Sequence, residues 1–248
     1  MMKAMIFAAG LGTRLRPLTD HLPKALVPVG GEPMLKRVIL KLKTAGFEDI
    51  TINIHHLGQQ IADYLHANQD FGLNIHLSDE RDCLQDTGGG ILKARPYLDG
   101  DAPFLVHNAD ILSDLDLAAF YQHHLQTQAD ATLLVSRRKT SRYLLLDDDF
   151  RLHGWINKST GEVRPEGLRP EKRQFQEYAF GGIHVLSPRL FRLMDQYGWA
   201  GKFPIIPFYL SICREARLQG YPQEASRWFD IGKPETLAAA NEYLKSKT

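Results

Sequence analysis

The chain has 248 residues, 44% of them hydrophobic and 24% charged, enough to build a sizeable core in one large domain or two small ones. A formal net charge of +1 excludes a general attraction to nucleic acid or to an anionic membrane, so a substrate must be held by a local site. The two cysteines, Cys83 and Cys213, have no metal or redox spacing, and the apolar run after Lys3 is too short for a signal-peptide core or a membrane span; the expectation is a soluble, cytoplasmic protein in a reducing compartment.

Residues 4–9 form a short apolar run of the kind that makes a buried parallel strand, and it empties directly into Gly10-Leu11-Gly12. Such a loop opens at the carboxyl edge of a sheet, where open α/β folds bind ligands. Gly10 and Gly12 lack a Cβ, so the backbone of Ala9, Gly10, Leu11, Gly12 and Thr13 can bring N–H groups close to anionic oxygens. Arg14 adds a planar fork of donors, with Arg16 behind it, and Lys24 adds a compact positive charge from a second segment. The stretch reads as a cradle that grips a triphosphate from two sides. It is not a dinucleotide fingerprint, because Leu15 stands where the third glycine belongs and Glu32 lies in a turn. No P-loop motif occurs anywhere in the chain.

A helix follows, with Pro33 in its first turn, Leu35, Val38, Ile39 and Leu42 on one face, and Gly46 as its stop. Residues 50–54 are a second strand ending at His55 and His56, which by spacing are not a zinc pair and are expected to line or cover the site. A helix over 57–65 and a strand over 73–77 lead to Gln85-Asp86-Thr87-Gly88-Gly89-Gly90. Three glycines ahead of an apolar helix are expected to leave N–H groups and a Cβ-free surface facing outward, a second binding element.

Residues 103–107 are a strand ending in Asn108-Ala109-Asp110, and an acid at the carboxyl end of a central strand is where a catalytic metal is held. Magnesium suits it, since Mg²⁺ takes one or two carboxylates and completes its shell with phosphates and water. Asp130 and the Asp147-Asp148-Asp149 run read instead as solvated helix-end and hairpin-turn acids. After a strand over 131–136, residues 137–178 are polar and turn-rich. Hairpin strands at 143–146, 152–156 and 161–163 suggest a lid subregion beyond the main sheet. A strand then begins at Gly181-Gly182, a helix at Ser187-Pro188 and another helix over 203–216. Arg227-Trp228-Phe229-Asp230-Ile231-Gly232 precedes a closing helix over 236–244. Strand and helix alternate with no repeat and no low-complexity stretch, which favours an α/β fold. Asp110 and Asp230 can meet only if the end of the chain packs back on the first half, so residues 1–248 are expected to form a single domain.

Ala-Ala-Gly-Leu-Gly-Thr-Arg-Leu-Arg-Pro-Leu-Thr at 8–19, Pro-Lys-Ala-Leu at 23–26 and Trp-Phe-Asp-Ile-Gly at 228–232 resemble the signatures of the sugar-1-phosphate nucleotidyltransferases, the nucleotide-sugar pyrophosphorylases. The resemblance implies a Rossmann-like mixed, mostly parallel sheet flanked by helices, of the nucleotide-diphospho-sugar transferase type, with a small β-rich sugar-side insertion. It implies a reaction in which a sugar 1-phosphate attacks the α-phosphorus of a nucleoside triphosphate. Arg14, Lys24, Asp110 and Asp230 become the catalytic set, with Mg²⁺ on the two aspartates. The nucleotide is expected on residues 9–14, Lys24, Gln85, Thr87, Gly88 and Asn108, with the glycine-rich loop against its base. The sugar phosphate is expected on Lys158, Gly181 and Gly182, although Asn157 stands where many relatives have the Glu of a Glu-Lys pair, and Ala109 where the family usually has Gly.

The Thr-Gly-Gly-Gly-Ile form at 87–91 resembles the N-acetylmuramate 1-phosphate uridylyltransferases of cell-wall recycling more than the guanylyl enzymes. UTP and N-acetylmuramate 1-phosphate are therefore the favoured substrates, and mannose 1-phosphate with GTP the rival. Acceptor selectivity is expected from residues 137–178. A catalytically inactive nucleotide-sensing module shares this fold, but retention of Arg14, Lys24, Asp110 and Asp230 argues against it. The partners are small molecules, and the oligomeric state stays open.

Overall fold

A computed structural model describes residues 1–170, 174–223 and 227–246, so parts of the predicted 137–178 stretch and of the 1–248 domain lie outside the described residues. The N-terminal apolar run is strand β1 (Met2–Phe7), followed by short 3-10 turns and a small ladder of β2 (Pro28–Val29) with β3 (Glu32–Pro33). Then come α1 (Met34–Thr44), β4 (Phe47–Ile54), α2 (Gly58–Ala67), β5 (Asn74–Asp79), α3 (Asp86–Lys93), α4 (Arg95–Leu98) and β6 (Phe104–Asn108). The middle of the chain forms β7 (Ile111–Ser113), α5 (Leu117–Thr127), β8 (Ala131–Ser136), β9 (Arg142–Leu146), β10 (Leu152–Asn157), β11 (Glu162–Arg164) and the long β12 (Gln176–Leu186). The last part is α6 (Arg189–Gln196), α7 (Ile205–Ile212), β13 (Leu218–Pro222), β14 (Trp228–Asp230) and α8 (Pro234–Lys245).

Strands β6, β1, β4 and β5 lie side by side in that order, all parallel, and form the centre of a mixed ten-stranded sheet among the described residues. Alternation along each strand sends side chains to two faces. Ala4, Ile6, Leu105, Ile183 and Val185 join one core with α1, α2 and α5, whereas Met5, Phe104, Val106 and Leu186 join the other with α3, α6 and α7. The predicted face of α1, Leu35, Val38, Ile39 and Leu42, is fully inside the first core. Two cores on one sheet make a three-layer α/β/α molecule.

The predicted hairpins over 137–178 exist as β9, β10 and β11, but they do not stand beyond the main sheet. β12 is long enough to pair with β6 and β8 at one end and with β9 at the other, so it carries the three strands as a continuation of the sheet edge. The register of β12 shifts between Phe180 and His184, where Gly182 takes φ +75°. β13, a strand that the sequence pattern did not predict, adds parallel to β8. Pro33 closes β3 rather than opening α1, and the helix predicted over 203–216 shortens to α7.

Candidate active site

The register of the parallel strands aligns the site. Phe7, the last residue of β1, sits opposite Asn53 of β4 on one side and Asn108 of β6 on the other. The strand order reverses there, because the chain leaves β1 through α1 on one face of the sheet and reaches β6 through α3 and α4 on the other, the kind of switch point at which α/β sheets bind ligands. A cavity of about 360 Å³ opens at this point, lined by Ala8, Ala9, Gly10, Lys24, Thr87, Asn108, Asp110 and Lys202.

Asn53 shapes the loop after β1. Its Oδ1 accepts the N–H groups of Ala8 at 2.7 Å and Ala9 at 3.3 Å, and its Nδ2 donates to Glu80 Oε1 at 2.8 Å. The fully buried Glu80 carboxylate in turn accepts Gln85 N–H at 2.9 Å, so one amide and one acid tie the β1 loop to the start of α3. Beyond Ala9 the backbone donors are free: the N–H groups of Gly10, Leu11 and Gly12 meet no acceptor among the described residues. Gly12 adopts φ +66°, and its carbonyl accepts Leu15 N–H and the Thr19 hydroxyl, both at 2.8 Å. A Cβ there would sit 2.8 Å from Thr19 Cγ2, whereas one on Gly10 would meet nothing closer than Lys24 Cδ at 3.9 Å. Gly12 is therefore required by the turn itself, and Gly10 only by whatever approaches it from the cleft.

The short 3-10 turn at Thr13–Leu15 carries Arg14 to within 3.9 Å of Asp230. Asp230 reaches the site because β14 pairs antiparallel with β7, which places it opposite Ile111, and Ile231 N–H donates to Asp110 O at 3.0 Å. The two aspartates, distant in the chain, thus become neighbours through a two-strand ladder. Lys24 Nζ forms a short ion pair with Asp110, and Asp230 Oδ1 accepts Gly232 N–H at 2.8 Å. A Cβ on Gly232 would lie 2.7 Å from both Arg14 Nη2 and Asp230 Oδ1, and 2.9 Å from Lys24 Nζ. That one point measures how closely both cations and the second carboxylate converge. The donor set, two carboxylates beside open space and a loop of free N–H groups, fits a hard cation that shares its shell with phosphate oxygens. Among the described residues no group of three or more His, Cys, Asp or Glu side chains could hold a metal without such sharing.

Arg138 lies next to this cluster. Its guanidinium stacks 4.3 Å over the Trp228 ring and donates to Phe180 O at 2.9 Å. Burial pushes its pKa down and the nearby Asp230 charge opposes that shift. His107, one residue before Asn108, is fully enclosed and held down to about 3 by burial, so it is neutral and holds the Asn108 carbonyl through Nδ1 at 2.8 Å.

The glycine triplet differs from expectation. Gly88, Gly89 and Gly90 are buried inside α3 rather than free in a loop. The N–H groups of Gly88 and Gly89 both donate to Phe203 O, at 2.8 and 3.0 Å, and a Cβ on Gly88 would strike the Phe203 ring. Their donors are consumed by packing against the segment before α7, so Gly88 offers no N–H to a base. Thr87 does line the cleft, with its hydroxyl accepting Ile205 N–H at 2.9 Å, and the Gln85 side chain donates to Cys83 O at 2.8 Å. His55 and His56 lead into α2, across the sheet from α3, and neither lines the cleft. Asp130 is not solvated: it is buried and accepts Arg189 Nη1 at 2.7 Å and Arg217 N–H at 2.8 Å. Asp147 does close the β9–β10 turn, but its carboxylate also accepts from Arg151 N–H and pairs with His153.

Among the residues expected at the sugar phosphate, Lys158 follows β10 and pairs with Glu177 at 2.5 Å. The acid missing beside it in sequence is thus supplied in space from β12. Gly181 and Gly182 answer to packing, since a Cβ on them would meet Leu134 and Asn108 at 2.9 and 2.8 Å. Gly181 O also accepts the Trp228 indole N–H at 2.9 Å. The residues that sequence reading missed are Asn53, Glu80, Lys202, Arg138 and Gly232. Asp-Ile-Gly at 230–232 carried a signal for Gly232; Asn53, Glu80 and Arg138 are single polar residues with partners remote in the chain, and Lys202 is a lone lysine before α7.

Comparison with known proteins shows the family and the fold. A family model described as nucleotidyl transferase matches residues 3–247. The chain is 35% identical over 233 residues to the N-acetylmuramate alpha-1-phosphate uridylyltransferase of Neisseria meningitidis serogroup B, covering 93% of each chain. It is 29% identical to the enzyme of the same name from Caulobacter vibrioides, covering 97% of this chain and 96% of that one. Among solved structures, a UDP-glucose pyrophosphorylase complexed with UDP-glucose superposes with a TM-score of 0.77 at 19% identity, over 100% of both chains, a likeness of fold.

Proposed function

The chain belongs to the nucleotidyl transferase family, and from that membership we propose that it transfers the uridylyl group of UTP to N-acetylmuramate 1-phosphate, releasing pyrophosphate. The observation that carries the reading is the convergence of Arg14, Lys24, Asp110 and Asp230 around Gly232, beside the free N–H groups of Gly10, Leu11 and Gly12. The choice of base and sugar is supported by the two uridylyltransferases that the chain resembles along nearly its whole length.

An oxygen of the sugar phosphate attacks the α-phosphorus. A P–O bond forms there as the bond to the bridging oxygen breaks, and the electron pair leaves with pyrophosphate. The attacking group is already an anion, so no side-chain base or nucleophile is needed, and catalysis is positioning plus neutralisation of charge. Gly10, Leu11 and Gly12 donate to the β- and γ-phosphates, Arg14 caps them, and Lys24 faces the α-phosphate. Asp110 and Asp230 hold Mg²⁺, which when bound neutralises phosphate charge. The nucleoside lies along Ala9, Thr87 and Asn108. Lys158, with Glu177 and the Gly181-Gly182 bulge, meets the sugar phosphate. The whole chain acts as one catalytic domain with residues 137–178 as its sugar-side edge, and its place is cytoplasmic cell-wall recycling. No helix among the described residues is long and apolar enough to cross a membrane.

Pyrophosphate release from four nucleoside triphosphates against a panel of sugar 1-phosphates tests the reading. The expected optimum is UTP with N-acetylmuramate 1-phosphate. Preference for GTP with mannose 1-phosphate would replace both substrates, and UTP with glucose 1-phosphate would replace only the sugar.

A further inference from the structure

A second cavity, of about 220 Å³, lies between the face of β9, β10 and β12 and the start of α7, lined by Arg138, Thr140, Arg142, Trp155, Phe180 and Ile206. Its Arg138 is close enough to the active-site Asp230 to feel that charge. Arg138 stacks on Trp228, two residues before Asp230, and Trp228 is hydrogen-bonded to the Gly181 carbonyl. Two guanidinium groups therefore enter one small, largely apolar space on the side where the sugar is expected.

Neither has an ion-pair partner among the described residues. Among the described residues no carboxylate lies within 4.0 Å of Arg138 or Arg142, and Arg138 Nε is buried without a hydrogen-bond partner. Elsewhere in the molecule buried or packed arginines find acids, as Arg189 does with Asp130 and Arg95 with Asp99 and Asp195. A buried donor left unpaired is destabilising, and guanidinium is the group whose fork of donors matches a planar carboxylate. Arg142 stands in register with Asn157, the residue before Lys158, so the cavity adjoins the Lys158–Glu177 pair as well.

We propose that the Arg138–Arg142 cavity receives a carboxylate carried on the sugar ring and so selects acidic sugar 1-phosphates as acceptors. This rests on the reading of the site given above. In N-acetylmuramate 1-phosphate the group is the lactyl carboxylate, which N-acetylglucosamine 1-phosphate lacks while matching it in every other substituent. A site built for charged hydrogen bonds rejects the analogue that leaves its donors unpaired.

The test is kcat/KM with UTP for these two acceptors in the wild-type enzyme, Arg142→Gln and Arg138→Gln. Arg142 is exposed at the start of β9, so its replacement tests the cavity without disturbing the core beneath Trp228. The wild type is expected to favour the carboxylated acceptor, and each variant to lower that preference by about tenfold or more, mainly through KM for N-acetylmuramate 1-phosphate. A wild-type preference that survives in both variants within about twofold overturns the cavity's role and leaves the substrate assignment standing. A wild type that uses other sugar 1-phosphates but not N-acetylmuramate 1-phosphate overturns the substrate assignment and this inference with it.

Discussion

Asp110 is paired with Lys24, and Asp230 accepts Gly232 N–H with Arg14 3.9 Å away, so an amide of the same shape keeps the local packing but removes charge. Asp110→Asn and Asp230→Asn are each expected to lower turnover by about two orders of magnitude or more, with a nearly unchanged thermal midpoint. Excess chelator is expected to abolish activity in the wild type; full activity in chelator would contradict the metal assignment. The two cations separate differently. Arg14 is 55% exposed and 3.9 Å from Asp230, a pair that contributes little to stability, while Lys24 is only 12% exposed. Arg14→Ala is expected to lose roughly 1.5–3 kcal/mol of transition-state binding, about one to two decades in kcat/KM, without a stability change. Lys24→Ala should match it kinetically and also lower the melting temperature, because it leaves the Asp110 carboxylate without its partner. These four residues were legible in the sequence because phosphate chemistry demands their types at loop and strand ends. Asn53 and Glu80 were not, since Asn53 acts on a backbone segment far from it in the chain and Glu80 meets Asn53 only across the fold.

At the level of elements, two glycine runs that look alike in sequence do opposite work. Gly10 lies at the exit of β1 with nothing but Lys24 Cδ near its missing Cβ, whereas Gly88 is inside α3, where a Cβ meets the Phe203 ring and backbone. Gly10→Ala is accordingly expected to keep the melting temperature and raise KM for the triphosphate. Gly88→Ala is expected to destabilise by about 1–3 kcal/mol through overpacking, with the kinetic defect following the loss of folded protein. Thermal unfolding and steady-state kinetics on the two variants check this, and equal stability losses would contradict it. The strand positions over 137–178 were legible from alternation, but their attachment was not. The length of β12, which pairs with β9 beyond its β6 and β8 ladders, together with an Arg151–Gln219 bridge to β13, joins β9, β10 and β11 to the main sheet.

Across the whole molecule, burial of histidine couples stability to pH. His107 and His184 are held down to about 3 and His124 to about 4, in each case chiefly by burial, and their ring nitrogens meet Asn108 O, Tyr209 OH and Thr132 Oγ1. In the unfolded chain a histidine titrates near 6.5, so below about that pH the unfolded state binds more protons than the native one. The contribution is complete above about pH 6.5 and is lost as pH falls toward the native values, by up to about 1.4 kcal/mol per pH unit for each residue. The unfolding midpoint is expected to be flat above about pH 7 and to fall steadily below about pH 6, with a shallower fall in His184→Gln. A midpoint constant from about pH 8 to about pH 5 would contradict this account.

The sequence alone determined what is periodic or chemically demanding: the alternation of strand and helix, the apolar face of α1, the glycine turn after β1, and the residue types suited to bind an anion. These follow from local backbone geometry and from the chemistry of anions, which need no knowledge of remote neighbours. Tertiary structure alone decided that β14 pairs with β7 and so sets Asp230 beside Asp110, that Glu177 joins Lys158, and that the glycines of α3 serve packing. It also decided that Arg138 and Arg142 share a cavity. Each of these is a meeting of segments distant in the chain, and the free energy that fixes such a meeting comes from burial and pairing that exist only once the sheet has formed.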